Sequence, residues 1–600
     1  MSANGECSRG ASAEDEDASF RSSSLAEKVR QHHLWHGDLL ADAQSFATFR
    51  AWVEERLPRV TQTAEGYFTA ALVRAVPMSC LGKQCVRRRR RRRRVARRRA
   101  RSRSALGMAP LGCGRGRVIW GGQALTLWPR SRTSVATTLF CTAGGCQQDH
   151  PRGARPRHPA VRNLPVDPGR LKRAPRTPPT TPSGLTAAAH SLLSLLSTFQ
   201  VALALFVAGE TAPAARAVSA LGALYGRADH AAVMDKMTGA PFPTPRSLLC
   251  AARSHAIHTA AARGAGYDNF TCAPVRFTCP SGERTDPWAH MQLDALGLFL
   301  VSYGTLAAQG LICADVALVS RFVRYLGAIE YWTRADLGHW EEWPAAVRTS
   351  SLGCCVAGLR AVAPLLRQEE GDCAGVALAC EEEALQLAQQ GAQVLATRLG
   401  GQEGTGVAWE APGRADDAAL LTLLLPPIAA QLALSPQQRC AVAESALRLR
   451  RPHGVLRYEG DSYYGADYQQ RLRAWKGEHG GGDASAYPQA QVRDSWAVAG
   501  CEAQWTIFEP LLLLHFLHLH ATQPGPYSAR EVRRSLMRVL AAVEEEEEEG
   551  GAVRLHVHES YTVVQGTRGP NDVQDLLWAV AYIRMGLAAC AEFLAAGGQF

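Results

Sequence analysis

The sequence predicts an all-α protein whose main part is one large domain of paired helices. From residue 184 onward, amphipathic stretches alternate with loops that contain Gly or Pro. Stretches with strand character are sparse, and the best candidate is 553–564. A chain of 600 residues is long enough to bury the core of such a domain. One apolar face repeats at helical spacing in Leu318, Phe322, Val323, Leu326 and Ile329.

Further helices follow along the chain. Asp, Ser or Pro stands near several of their starts, as capping requires. No short exact repeat is visible, which argues against a regular solenoid. A second apolar face is formed by Leu352, Val356, Leu359, Val362 and Leu365. The other helices are predicted near 290–309, 376–399, 415–433, 437–449, 502–520, 528–543 and 573–595, with one more in the stretch AQSFATFRAWVEERL.

The charge distribution divides the chain into four parts. Residues 81–180 hold 26 Lys and Arg against 2 Asp and Glu, which leaves 40 basic and 53 acidic residues elsewhere. The basic pI of about 9.0 therefore belongs to one block, and the remainder is acidic. We predict a disordered tail at 1–24, N-terminal helices of the main domain at 25–80, a disordered basic insertion at 81–183 and the main domain at 184–600.

The Arg-rich run at 86–104 has three interpretations. It is an accidental insertion that splits a fold, a native basic linker, or a segment that binds nucleic acid. Nucleic-acid binding is the least favoured, because the block lacks interleaved aromatic residues and any recognisable RNA module.

The termini and cysteines indicate an intracellular protein. The polar, acidic start has no apolar core of a secretory signal, and 17 Cys without a close CxxC pair suggest reduced thiols. The apolar stretch 192–209 contains several polar residues, so a buried helix is favoured over a membrane span. We therefore expect a cytoplasmic protein with no cofactor.

We do not expect a metal site either. The histidines 515, 518 and 520 lie on one predicted helix, but no cluster of Cys or Asp completes a set of metal ligands with them. The run 544–549 is predicted to be a solvated helix end or loop.

Two glutamate motifs are the best candidates for chemistry. One is GHWEE at 338–342, and the other is HESY at 558–561. Inverting glycoside hydrolysis needs two carboxyl groups on opposite sides of a sugar ring, roughly 6.5–9.5 Å apart. Acids this far apart in sequence can meet at such a gap only if the chain closes into a barrel or a cleft. Alone, either motif also fits a surface turn.

Six segments, in order, resemble glycoside hydrolase family 15, especially its branch shared with the α and β regulatory subunits of phosphorylase kinase. The resemblance covers roughly residues 185–595 and implies an (α/α)6 barrel of the six-hairpin glycosidase type. The matching segments are DPWAHMQLDALGLFL from 286, FVRYL through GHWEE at 322–342, SSLG from 350, RYEGDSYYG from 457, CEAQWTIF from 501, and ESY from 559 with the following PN and Trp-containing helix.

The resemblance also implies roles for individual residues. Glu341 would be the general acid, Trp340 would wall the sugar site and help to raise the pKa of that acid, and Glu559 would be the general base. Glu342 would accept hydrogen bonds from sugar hydroxyls, and Arg457 would hold a hydroxyl of the deepest sugar. The other residues that it places in the substrate site are Tyr463 and Asp294.

One element of the family is missing. Members carry a W-x-R-D-N element shortly before the helix that reads VALALF from 201 here, and the basic block occupies its place. Arg493-Asp494-Ser495-Trp496 has similar letters but lies in the wrong order. The resemblance therefore implies an incomplete innermost subsite, and it leaves catalytic activity uncertain.

Two functions follow from these observations. The first is inverting release of terminal glucose from an α-glucan of the glycogen or starch type, with an α-glucan or oligosaccharide as partner. The alternative is a non-catalytic protein of glycogen metabolism, similar to the phosphorylase kinase subunits, with a protein kinase or calmodulin as partner.

Overall fold

A computed structural model describes most of the predicted domain. The described residues are 43–57, 191–238, 272–279, 290–367, 374–400, 408–479, 488, 490–547, 552–564, 567–571 and 575–599. The predicted tail at 1–24 and the predicted basic insertion at 81–183 lie outside them.

The described residues form fifteen α-helices and two 3₁₀ helices. Their order in the chain follows the predicted helices closely. The α-helices are α1 (Ala43–Arg56), α2 (Leu195–Val207), α3 (Thr211–Tyr225), α4 (Ala228–Thr238), α5 (Leu293–Ala308), α6 (Val316–Ala328), α7 (Thr349–Leu366), α8 (Ala374–Leu399), α9 (Pro426–Leu432), α10 (Pro436–Arg448), α11 (Tyr468–His479), α12 (Ala490–Asp494), α13 (Glu509–Thr522), α14 (Pro526–Ala541) and α15 (Leu577–Ala595). The 3₁₀ helices are η1 (Ala418–Leu424) and η2 (Thr506–Phe508).

Six inner segments of the described chain form a closed ring. Helix α2 contacts α5, α5 contacts α7, and α7 contacts η1 with α9. The ring continues from η1 to α13, from α13 to α15, and from α15 back to α2. The outer helices α1, α3, α6, α8, α10 and α14 pack around it, and α1 pairs with α15. Six inner and six outer helical elements make an (α/α)6 barrel, which confirms the predicted fold class.

Burial explains which helices are inner. Every residue from Leu293 to Leu306 in α5 is buried and most are apolar, as expected for a helix in the centre of a domain. Outer helices instead carry one apolar face. In α6, Leu318, Phe322 and Leu326 are buried, and the Asp315 side chain caps the first turn.

Two inner helices, α7 and α15, are long and apolar enough to cross a membrane by length and composition. In each, 89% of the residues in the most apolar window are buried inside the protein. They occupy the ring as core helices. The stretch 192–209 is divided between strand Ser191–Ser194 and helix α2.

Glycines set the distance between α5 and α7. A Cβ on Gly297 would lie 2.4 Å from the carbonyl carbon of Cys354, and a Cβ on Gly304 would lie 2.6 Å from that of Ala361. Because both obstacles are backbone atoms, no side-chain rotation can relieve them. The two helices are therefore in direct backbone contact.

The Gly297→Ala variant tests this contact. We expect it to lower the free energy of unfolding by about 1–3 kcal/mol or more, because the added methyl group forces α5 and α7 apart. The matched control is Gly477→Ala on α11, where an added Cβ meets nothing within 4 Å and should stabilise the helix by up to about 1 kcal/mol. Urea-induced unfolding followed by circular dichroism measures both changes. Equal midpoints for the two variants would contradict this packing.

Short strands accompany the helices. The strands are β1 (Ser191–Ser194), β2 (Arg276–Cys279), β3 (Arg450–Arg451), β4 (Gly454–Val455), β5 (Gln504–Trp505), β6 (Val543–Glu547), β7 (Val553–Val557), β8 (Ser560–Val564) and β9 (Thr567–Pro570). All pairings are antiparallel, with β1 on β2, β6 on β7, and one five-stranded sheet in the order β3-β4-β5-β8-β9. The strand character predicted for 553–564 is confirmed.

The prediction for the acidic run 544–549 was wrong in its described part. Residues Val543–Glu547 form β6, in which Glu544 pairs with His556 and Glu546 with Arg554 on β7. Glu544 also accepts a hydrogen bond of 3.0 Å from the Tyr561 hydroxyl. This acidic segment can therefore form a β-strand, because polar residues on the neighbouring strands pair with its glutamates.

The five-stranded sheet joins segments that precede different inner helices. Val455 pairs with Trp505, and Trp505 pairs with Ser560. A buried ion network at one edge holds β3 to the barrel, because Arg450 bonds both Glu509 of α13 and Glu531 of α14 at 3.0 and 3.2 Å. The sheet thus fixes the residues around 457, 505 and 559 side by side.

Candidate active site

The candidate site is formed by segments that lie before the starts of inner helices. Trp340 and Glu342 precede α7, Arg457 is bonded to the start of η1, and Glu559 precedes α15. These starts converge because the inner helices form one ring. Direct hydrogen bonds between the segments, described below, confirm that they meet.

A tight turn presents Glu341 and Glu342. The Glu341 N–H donates to the Gly338 carbonyl at 3.0 Å, and the Glu342 N–H donates to the Leu337 carbonyl at 3.2 Å. Gly338 has φ +59°, and a Cβ there would lie 2.1 Å from Cδ of Arg348. Glu341 itself adopts φ 56°, which is uncommon for a residue with a side chain. The turn sends the Glu342 carboxyl inward and leaves Glu341 partly exposed.

Trp340 forms a fixed wall behind this turn. It is buried, its indole Nε1 donates to Asp417 Oδ1 at 2.9 Å, and its ring meets Phe508 edge to face with centroids 5.7 Å apart. Burial raises the pKa of Asp417 to about 7, with a further contribution from Glu410. Two contacts from different segments therefore hold the indole in one orientation.

Glu342 lies at the centre of a buried charge cluster. Its Oε1 accepts from Arg457 and Arg493, and its Oε2 accepts from Arg414 at 2.8 Å. The Tyr458 hydroxyl oxygen also lies 3.2 Å from Oε1. Burial alone would raise the pKa of Glu342, but the three guanidinium groups outweigh burial and hold it well below its usual range.

Arg457 connects this cluster to the aromatic wall. It grips Asp461 with two hydrogen bonds of 2.6 and 3.0 Å. Its guanidinium carbon lies 4.8 Å from the centre of the Trp340 ring and 4.7 Å from that of Tyr463. Tyr463 in turn stacks on Trp505, with centroids 6.0 Å apart and planes within 6°. The guanidinium is thus held by charge and by ring faces.

Glu559 is held in place by Asn571 and Thr506. Asn571 Nδ2 donates to its Oε2 at 3.0 Å, and Thr506 N–H donates to its carbonyl at 3.2 Å. The Glu559 charge raises the pKa of the Tyr463 hydroxyl, after the larger contributions of burial and Tyr464. The candidate base therefore lies near enough to Tyr463 to act on its charge, and its side chain is partly exposed.

The structure brings four of the five predicted substrate residues together. The fifth, Asp294, is not part of their cluster. Trp340, Glu342, Arg457 and Tyr463 form one contiguous cluster. Asp294 is fully buried at the start of α5, 3.9 Å from His339 Nδ1, and its Oδ1 accepts from the next backbone N–H at 2.9 Å. This placement does not support direct contact of Asp294 with substrate. Burial raises its pKa well above its usual value, with smaller contributions from Asp336 and Glu341.

Sequence reasoning missed two arginines and an aspartate. Arg414 and Arg493 both bond Glu342, and Asp494 accepts from the Tyr458 hydroxyl at 3.1 Å. Burial, together with Glu342 and Asp461, raises the pKa of Asp494 to about 6. The letters Arg493-Asp494 were visible in the sequence, but Arg414 stands in no recognisable motif. Among the described residues, no group of three His, Cys, Asp or Glu could hold a metal ion.

Comparisons with known proteins find distant structural similarity without a sequence match. No protein-family model matches this chain, and no curated protein matches it. A wild-type glycosidase is 19% identical, with a TM-score of 0.42 over 67% of this chain and 88% of that chain. A variant glycosidase in complex with glucose has the same identity and coverage and a TM-score of 0.41. A bacterial glucoamylase complexed with acarbose is 16% identical, with a TM-score of 0.41 over 67% of this chain and 49% of that one. The fold assignment rests on the ring of helix contacts within this chain.

Proposed function

We propose that this protein is an inverting glycoside hydrolase that releases terminal glucose from α-glucans. The observation that carries the proposal is the convergence of Trp340, Glu342, Arg457 and Tyr463, four residues assigned to a sugar site from sequence, into one cluster with Glu559 beside it. Ring faces and hydrogen-bonding groups side by side suit a sugar, which has both apolar faces and hydroxyls.

In this mechanism, the sugar ring binds against Trp340 and Tyr463. Glu341, which is partly exposed, protonates the leaving glycosidic oxygen. Glu559 removes a proton from a water that attacks the anomeric carbon from the opposite face. The glycosidic bond breaks as the bond to water forms, so the configuration at the anomeric carbon inverts. We expect the carboxyl groups of Glu341 and Glu559 to be separated by roughly 6.5–9.5 Å.

Asn571 and Thr506 prepare the base for this step. The Asn571 amide holds one oxygen of Glu559 at 3.0 Å, and Thr506 anchors its backbone. A group whose orientation is fixed in advance does not lose further freedom when the reaction begins.

The assay follows the anomeric form of the product. The full chain is incubated with maltotriose, and proton NMR records which anomer of glucose appears first. The expected result is β-glucose that later equilibrates to a mixture of both anomers. Initial release of α-glucose would contradict inversion, and the absence of release would contradict hydrolysis.

Glucan binding without turnover is the second candidate, and one observation favours it. Three guanidinium groups donate to Glu342, and the Tyr458 hydroxyl, which also lies 3.1 Å from Asp494, is within 3.2 Å of it. Groups of the protein therefore already surround this carboxylate, and a sugar hydroxyl has to compete with them for it. Binding of maltotriose without cleavage would support this candidate, which corresponds to the regulatory type of protein.

A further inference from the structure

The segment 490–496 brings a charged pair into the site from an unexpected part of the chain. Helix α12 ends in Arg493 and Asp494, and the following Trp496 packs on Tyr468, with centroids 6.2 Å apart. Tyr468 lies against Tyr463 of the aromatic wall. The pair is therefore anchored by Trp496 and borders the cluster of Glu342 and Arg457.

Arg493 is buried but not fully satisfied. Only 6% of the residue is exposed, and its Nη2 donates to Glu342. Its guanidinium carbon lies 5.5 Å from the centre of the Tyr463 ring. Its Nε is buried without a hydrogen-bond partner. Buried donors are normally paired, so an unpaired one beside the aromatic wall suggests a missing acceptor.

Asp494 offers the complementary group. One oxygen accepts from the Tyr458 hydroxyl at 3.1 Å, and the other lies 4.0 Å from Arg414 Nη2, beyond hydrogen-bond distance. The side chain is 30% exposed, whereas the Glu342 side chain is 1% exposed. Asp494 can therefore be reached from solvent, and Glu342 cannot.

The charges of the cluster define the kind of ligand. Three guanidinium groups, those of Arg414, Arg457 and Arg493, are matched by the carboxyl groups of Glu342, Asp461 and Asp494. Because positive charge is already balanced, a phosphorylated or acidic sugar gains little here. A neutral ring with adjacent hydroxyls fits better, since a hydroxyl can donate to Asp494 and accept from Arg493.

We infer that Arg493 and Asp494 recognise the hydroxyl groups of an uncharged terminal sugar in the site bordered by Glu342, Arg457 and Tyr463. This inference rests on the proposed function, because it assumes that the site takes a sugar.

The test measures glucose binding by isothermal titration calorimetry, which needs no turnover. The variants are Asp494→Asn and Arg493→Lys, and the matched control is Arg227→Gln with Asp229→Asn, an exposed Arg–Asp pair at the start of α4. We expect the Kd for glucose to rise at least tenfold in either site variant and to stay unchanged in the control. Circular dichroism melting reports whether each variant is folded.

Deoxyglucoses separate recognition from a structural effect. The 2-, 3-, 4- and 6-deoxy sugars are titrated into the unmodified chain and into Asp494→Asn. If Asp494 contacts one hydroxyl, the sugar that lacks this hydroxyl binds weakly to the unmodified chain, and the Asp494→Asn substitution weakens its binding little further. For the other three sugars, the substitution should weaken binding as much as it does for glucose. A uniform loss for all four would overturn the inference, as would unchanged glucose binding in Asp494→Asn. No glucose binding to the unmodified chain would overturn the proposed function as well.

Discussion

Replacing Glu559 by Gln is expected to lower kcat for maltotriose hydrolysis by about 10²–10⁴-fold, and Glu341→Gln should do the same. Glutamine keeps the size of the side chain but can neither accept a proton from water nor protonate a leaving group. The control is Glu459→Gln, which changes an exposed carboxyl in the loop that follows Arg457 and should leave kcat within about twofold.

An activated substrate separates the two roles. Fluoride leaves α-glucosyl fluoride without needing a proton, so Glu341→Gln should hydrolyse this compound at nearly the unmodified rate. Glu559→Gln should remain inactive, because water must still be activated. Initial rates of fluoride release, measured with a fluoride electrode, distinguish the general acid from the general base. If both variants lose activity equally on maltotriose and on the fluoride, Glu341 is not the general acid.

The second large effect concerns Glu342. The Glu342→Gln substitution is expected to lower the free energy of unfolding by about 3–5 kcal/mol at pH 7, because three buried guanidinium groups lose their shared counter-charge. Glu459→Gln is again the control, since the exposed pair of Glu459 with Arg451 should contribute less than about 1 kcal/mol. Urea-induced unfolding at pH 7 measures both.

The pH dependence gives an independent check. The folded pKa of Glu342 lies below its unfolded value of about 4.3. Its contribution is therefore fully present above that value and is lost as the pH falls towards the folded pKa. The gap in stability between the unmodified chain and Glu342→Gln should shrink on acidification below about pH 4.3. A gap that is the same at pH 7 and pH 3 would contradict the charge cluster.

Local pattern was sufficient for the helices but not for their closure into a ring. The spacing of Leu318, Phe322 and Leu326 predicted the buried face of α6, and all three are buried. The sixfold arrangement came from the family resemblance, since periodicity does not show which helices touch. The two-residue strands of the site sheet were too short to be detected, and β6 was mistaken for a solvated run because its partners lie on other strands.

The contacts within the site also differ in how far apart their residues lie in the sequence. Arg457 and Asp461 are four residues apart, and their pairing could be read within one motif. Arg414 and Arg493 reach Glu342 across 72 and 151 residues. No local property of either arginine reveals such a partner. Sequence order had argued against a site role for Arg493, but contact in the barrel does not depend on that order.

The ring described above also governs when the protein can finish folding. Its last inner helix, Leu577–Ala595, packs on the first, Leu195–Val207, and Arg584 on it bonds Glu210 at 2.8 Å. This pair spans almost the whole domain, so contact order is high and folding is correspondingly slow. During synthesis the growing chain exposes the apolar side of an open ring until residue 595 has left the ribosome. The last inner helix therefore closes the barrel, and a chain that stops before it keeps apolar surface exposed, which favours aggregation.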